Sequence, residues 1–192
     1  MRGDLVMMDR IIPLPKVVRK ALIFLLYVPE KNLGSTEIES LLDHPANKHC
    51  LARVYLGKAN GTIDRRAPLR HFPLYLESME HIDIETLPLA SAMGKAHAIL
   101  HWSAAINSDD VEFVLVDLTQ APNVVYQASK GAMVLGDNEQ FIPHYSRSPA
   151  LFATFLKGYI EAGNIILSDE RLKNKFNKEF MQEYEEYAED FL

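Results

Sequence analysis

The run from Leu87 to Trp102 constrains this chain more than any other segment. Leu89, Met93, Ala96, Ile99, Leu100 and Ala104 recur at three- and four-residue spacing, the period of an amphipathic helix with one face laid on a core. Such a face needs partner elements to bury it. Candidate partners lie on both sides in the sequence. From Lys16 to Tyr27, Val17, Val18, Ala21, Leu22, Leu25 and Leu26 predict a helix amphipathic at its start and buried at its end. Pro13-Leu14-Pro15 opens that helix and Pro29 closes it. Leu69, Phe72, Leu76 and Met79 predict a further helix over Pro68 to Met79. Two closing helices are predicted, Pro149 to Leu167 and Ser168 to Phe191, with Ser168 as an N-cap.

Strand signals are fewer. Cys50 to Leu56 alternates apolar and polar ahead of Gly57, Asn60 and Gly61, which predicts a strand running into a turn. Val111 to Leu118 predicts a second strand after the turn formed by Asn107, Ser108, Asp109 and Asp110. Leu33 to Asn47 is expected to be a loop with a short helix through Ile38 to Leu42. Gln120 to Asp137, with Pro122, Gly131 and Gly136, is expected to be irregular. The expected class is therefore mainly α (α+β), a helical bundle with a few short strands, as one domain over residues 1–192.

Charge and cysteine content exclude whole classes of function. With 20 basic against 26 acidic residues the net charge is −6, which argues against a nucleic-acid binder that must displace counterions with a basic patch. The single cysteine, Cys50, permits no internal disulfide and no zinc site built on several thiolates. A buried, inert thiol is expected there. The most apolar run, Ala21 to Val28, is far short of the roughly 20 residues a bilayer span needs. Pro29, Glu30 and Lys31 follow it where a secretory signal would carry small residues, so a cytoplasmic protein without a membrane span is expected.

Few residues carry a chemical signal. His97 and His101 stand four apart and share a helix face, the spacing of two metal ligands. The residues between them, Ala98, Ile99 and Leu100, offer no general-base glutamate, and no third ligand is marked, so a pair of hydrogen-bonded structural histidines is the expected role. Trp102 is expected to pack under the following turn with its N–H on a backbone carbonyl, or else to wall a ligand pocket. No glycine-rich phosphate loop and no Gly-x-Ser-x-Gly elbow occurs. His144, Tyr145 and Arg147 form a polar loop that can border a cleft. The stripe Phe176, Phe180, Tyr184, Tyr187 and Phe191 is expected to be core or the face of a homodimer formed through the C-terminal helix.

Several segments together resemble a known family. They are Met8-Asp9-Arg10-Ile11-Ile12-Pro13-Leu14-Pro15, then Cys50 to Gly57, then Ala96 to Trp102 followed by Asp110-Val111-Glu112-Phe113-Val114-Leu115. With Pro143-His144-Tyr145 and the helix from Leu151, they resemble the fungal domain of unknown function 3669 family, some of whose members carry a zinc finger. The resemblance covers nearly the whole chain. That family is similar to a diverged protein-kinase-like or aminoglycoside-phosphotransferase-like fold, which implies a kinase-like C-lobe with the N-lobe absent. Where such a fold would place its catalytic aspartate, five residues before a metal-binding position, this chain has Asn107 and then Glu112. An asparagine cannot act as a base at neutral pH, so phosphotransfer is not expected.

The resemblance implies an open groove on the lobe, lined by Trp102, His97, His101 and Tyr55, which would take a hydrophobic small molecule. The expected function is that of a cofactor-independent enzyme of fungal specialised metabolism. It would catalyse an intramolecular cyclisation of the [4+2] type, or an isomerisation. His97, His101 and Arg53 are the expected catalytic residues, with Tyr55, Trp102, Asn107, Glu112 and Tyr145 lining the substrate. No metal and no cofactor is expected. A non-catalytic protein-interaction module and a pseudokinase remnant are the alternatives.

Overall fold

The alternation beginning at Cys50 becomes the centre of a small sheet. In the computed structural model of the chain, residues 11–27, 34–61, 69–105, 111–115 and 138–167 are described. They group into two units, one built from Met1–Thr86 with Asp109–Ile142, the other from Leu87–Ser108 with Pro143–Leu192.

In the first unit β1 (Leu51–Tyr55) lies between β2 (His71–Tyr75) and β3 (Val114–Leu115). β1 pairs parallel with β2, Arg53 opposite Pro73, and antiparallel with β3, Arg53 opposite Val114. Ala52, Val54, Phe72 and Leu74 are buried on one face, as period-two patterning requires. The other face carries Leu51, Arg53, His71 and Pro73, half-buried or exposed, and ends in the buried rings of Tyr55 and Tyr75.

The predicted helix over Pro68 to Met79 is corrected. Its first part is β2, and only α3 (Leu76–His81) is helical. Pro73 would have removed a hydrogen bond from a helix interior, yet it is tolerated in a strand at the sheet's edge. The turn after β1 caps α3, with the Leu76 and Glu77 amides donating to the carbonyls of Lys58 and Ala59 at 3.2 and 2.9 Å. Of the strand expected over Val111 to Leu118, Val114–Leu115 is extended strand and Val111 makes a single bridge, while the Phe113 carbonyl accepts from the Val54 amide at 2.8 Å.

Two helices complete this unit before β1. α1 (Lys16–Leu22) continues into a π-helical turn, Ile23–Tyr27. Its end is not buried as expected. Leu22 and Ile23 are buried, but Phe24 and Leu25 turn outward, because only one side of a helix can face the core. α2 (Ser35–Asp43) is longer than the short helix expected.

Arg19 ties the two helices together, donating to the carbonyls of Leu14, Leu42 and Asn47 at 3.1, 3.3 and 3.0 Å. The buried Asn47 side chain donates to the Leu41 carbonyl and accepts from the Leu69 amide, both at 2.8 Å. These bonds satisfy carbonyls left over at the end of α2. Lys16 and Lys20 bridge to Glu39 and Asp43 on the surface, where such pairs contribute little. Cys50 is buried, and burial pushes its thiol up to about 11, so it stays protonated and inert.

The second unit is built on α4 (Thr86–Ala98), continued by a π-helical turn over Ile99–Ser103, and α6 (Pro149–Ile166). The short α5 (Asn138–Phe141) precedes α6 and belongs to the first unit. The buried face of α4 is Ala90, Met93, Gly94, Ala96, His97 and Ala98. That face is rotated from the expected stripe, and Ile99 is 48% exposed. The reason is close packing, because small residues, rather than the largest apolar ones, let α6 approach. Gln120 to Asp137, Asn107 and the helix expected from Ser168 lie outside the described residues. The described architecture is α+β. No described helix is long and apolar enough to cross a membrane.

Candidate functional site

Two glycines set the approach of α4 to α6. A Cβ at Gly94 would overlap the carbonyl oxygen of Phe155, and one at Gly158 would overlap that of Ser91. The bare backbones therefore touch at two points one turn apart on each helix. This contact brings Phe155 of α6 against His97, and Tyr159 against His101 in the π-helical turn that follows α4.

At that end α4 widens. The Ala104 amide donates to the Ile99 carbonyl at 3.0 Å, a bond five residues long rather than four. A wider turn rotates successive residues less, so the neighbours His101 and Trp102 both reach one atom. That atom is the Tyr159 hydroxyl oxygen. Trp102 Nε1 donates to it at 3.1 Å, and His101 Nδ1 is hydrogen-bonded to it at 2.8 Å. Trp102 is 36% exposed and His101 half-buried, while Tyr159 is buried with Ala98 and Leu167 around it.

His97 lies one turn back and is buried, its ring edge-on to Phe155 at 5.6 Å and 5.8 Å from His101. Burial, and then the neighbouring His101, lowers its pKa to about 3. Burial also pushes the Tyr159 hydroxyl up to about 12, against a smaller opposing effect of the Trp102 hydrogen bond. Both groups are therefore neutral at ordinary pH. Tyr145 stacks on His144 at 4.9 Å and meets Phe152 edge-on at 6.4 Å. Phe152 and Tyr159 are seven residues apart on α6, so Tyr145 stands about 10 Å along the same helix face.

The other expected residues belong to the first unit. Arg53 Nη2 bonds Glu112 Oε1 at 2.9 Å, with the side chains 24% and 32% exposed. The Arg53 Nε is buried with no hydrogen-bond partner among the described residues. Nearby, burial and then Arg53 and Arg70 lower the pKa of His71. Tyr55 is buried in an aromatic stack, 5.4 Å from Tyr75 and 4.7 Å from Phe141. Its ring is a packing element of the first unit.

The eight expected site residues therefore divide. His97, His101 and Trp102 come together against α6 in the second unit, Tyr145 packs on Phe152 of the same helix apart from them, Arg53, Tyr55 and Glu112 belong to the first unit, and Asn107 lies outside the described residues. The backbone carbonyl expected to accept from Trp102 is replaced by the Tyr159 hydroxyl. Tyr159 itself was not among the expected residues. Its one signal was a hydroxyl at the end of the stripe Phe152, Phe155, Tyr159, next to Gly158. Among the described residues no three His, Cys, Asp or Glu side chains gather as metal ligands would.

No protein-family model, no curated protein and no solved structure matches this chain. The chemistry open to the second unit is that of hydrogen-bonding groups beside aromatic side chains. They can donate to an oxygen and shape a pocket.

Proposed function

We propose that this chain is a cofactor-independent enzyme of fungal specialised metabolism, acting in the cytoplasm on a hydrophobic metabolite. The reaction is an intramolecular cyclisation of the [4+2] type, or a related isomerisation. In the cyclisation two C–C σ bonds form as two π bonds are lost, nothing leaves, and substrate and product have the same mass.

The observation that carries this reading is the Trp102–Tyr159–His101 junction. It joins three polar atoms on otherwise apolar helix faces, with Trp102 and His101 part-exposed. A pericyclic reaction needs little more. Folding a flexible substrate into its reactive conformer supplies several kcal/mol, up to roughly 7–11 in the best cases. One preorganised hydrogen bond to developing charge supplies about 3–4 kcal/mol more. His101 is the donor, Trp102 and Tyr145 shape the substrate, and the buried His97 supports His101 from beneath.

Arg53 is the weaker candidate for the donor because Glu112 already compensates its charge. The kinase-like descent rests on the sequence resemblance alone, and the parallel pairing of β1 with β2 lends it no support.

Metabolite profiling of the source organism with and without the gene tests the proposal. The expected result is loss of a cyclic product and accumulation of an open precursor of equal mass. Matching profiles would overturn the enzyme reading and favour a non-catalytic interaction module.

A further inference from the structure

An exposed apolar face runs along α1 and into the π-helical turn that follows it. Val17, Val18, Ala21, Phe24 and Leu25 recur there at three- and four-residue spacing, and all five are exposed, Val17 at 74% and Phe24 at 68%. Leu22 and Ile23, on the other side, hold the helix to its core. The smaller rotation per residue in the π-helical turn keeps the neighbours Phe24 and Leu25 on the outer side together. Single exposed apolar residues are ordinary, whereas a contiguous set marks a surface that something covers.

One flank of this face carries charge of both signs. Lys16 and Lys20 stand one turn apart along it. Lys16 bridges to Glu39 and Asp43 of α2 at 3.0 and 2.9 Å, and Lys20 to Glu39 at 3.0 Å, with all four side chains well exposed. Two lysines and two carboxylates leave that rim with no net charge.

We propose that this face pairs with the same face of a second copy of the chain, the two α1 helices antiparallel about a two-fold axis. Such a contact sets a patch against its own image, which suits an apolar stripe whose rim attracts that image rather than repelling it. The antiparallel arrangement puts both rims on the same side, where the lysines of one copy meet the carboxylates of the other. An anionic membrane fits less well. Glu39 and Asp43 already compensate the two lysines, and the net charge of −6 opposes approach to such a surface. One helix face is a small interface beside the ~800 Å² per partner of a standard one, so the pair forms and dissociates as concentration changes. The surface lies in the first unit and owes nothing to the proposed reaction.

Sedimentation velocity of the full chain over a micromolar concentration series tests the pairing. The expected result is a monomer–dimer equilibrium in the wild type, and monomer at every concentration in the double variant Val17→Ser/Phe24→Ser. Both positions are exposed, so the variant keeps its fold, which circular dichroism checks. Charge reversal gives a second readout. Lys16→Glu/Lys20→Glu and Glu39→Lys/Asp43→Lys each leave the rim with one sign only, and each alone is expected to be monomeric. An equimolar mixture of the two is expected to restore the dimer.

A wild type that stays monomeric throughout would overturn the proposal, whether a flanking segment of the chain or a lipid vesicle covers the face instead. So would a dimer that persists unchanged in Val17→Ser/Phe24→Ser, which would place the contact elsewhere. A charge-reversed mixture that stays monomeric would refute the antiparallel meeting of the rims.

Discussion

The two units hold the candidate site residues in different ways. In the first, Arg53 and Glu112 form a charged pair on a sheet face, and their charges compensate each other. In the second, Trp102, Tyr159 and His101 are joined by directional bonds, with burial keeping Tyr159 protonated and the adjoining His97 uncharged. A compensated pair holds a structure in place, and its charge is already spent locally. Hydrogen bonds to fixed partners hold a ring in one orientation, and a preorganised group is what catalysis by hydrogen bonding requires. On the proposed function, the helical unit would carry the chemistry and the sheet unit would serve as scaffold.

The largest way to break this contrast is at the helix contact. Gly94→Ala is expected to cost about 3 kcal/mol in chemical denaturation, since its new Cβ meets the backbone of Phe155, which cannot step aside. Gly61→Ala, whose Cβ meets the Tyr75 side chain rather than backbone at its nearest described contacts, is expected to cost about 1 kcal/mol.

The next effect is one of pH. Below 6.5 the unfolded chain protonates His97, while the native state holds it neutral down to about 3. The unfolded state therefore binds more protons in that window, and stability falls as the pH drops from 6.5 toward 3. His97→Gln should remove a slope approaching about 1.4 kcal/mol per pH unit, read as the difference between the two stability profiles. His71→Gln in the first unit should remove a much shallower slope, because His71 is exposed.

Smaller still is the ion pair. A double-mutant cycle with Arg53→Met and Glu112→Gln is expected to give a coupling of about 1 kcal/mol, the scale of a pair still reached by solvent. The smallest effects concern two residues with left-handed backbone. Ala105→Gly should stabilise by about 0.5–1 kcal/mol, because alanine at φ 49° is strained where glycine is not. Asp83→Gly should gain only a few tenths of a kcal/mol. Aspartate tolerates φ 55°, and the Ile84 and Asp83 amides already close the end of α3 on the Met79 and Glu80 carbonyls.

What could be read from the sequence follows the reach of local periodicity. The patterns of α4, α6 and β1 were legible because each is long enough to repeat, and Cys50 was legible as a buried thiol. The segment His71–Tyr75 was misread because Leu69, Phe72, Leu76 and Met79 fit a helical spacing, although Pro73 spoke against it. The core face of α4 was misplaced because the contact with α6 selects Ala90, Gly94 and Ala98 for smallness, a property that hydrophobic patterning does not weight.

In the candidate site, the pairing of His97 with His101 on one face was visible from their spacing. Tyr159 was not, since it lies 58 residues from His101 in the chain and joins it only through the helix contact. Nor could spacing show that a π-helical turn would bring Trp102 to the same hydroxyl.

The most direct test of the central claim is complementation of a deletion strain with two variants side by side, reading the cyclic product. His101→Ala should lower product formation by about 100- to 1000-fold, the usual cost of one preorganised donor, while Arg53→Met retains most of it. Full activity in His101→Ala, or loss confined to Arg53→Met, would contradict the account and move the chemistry to the sheet.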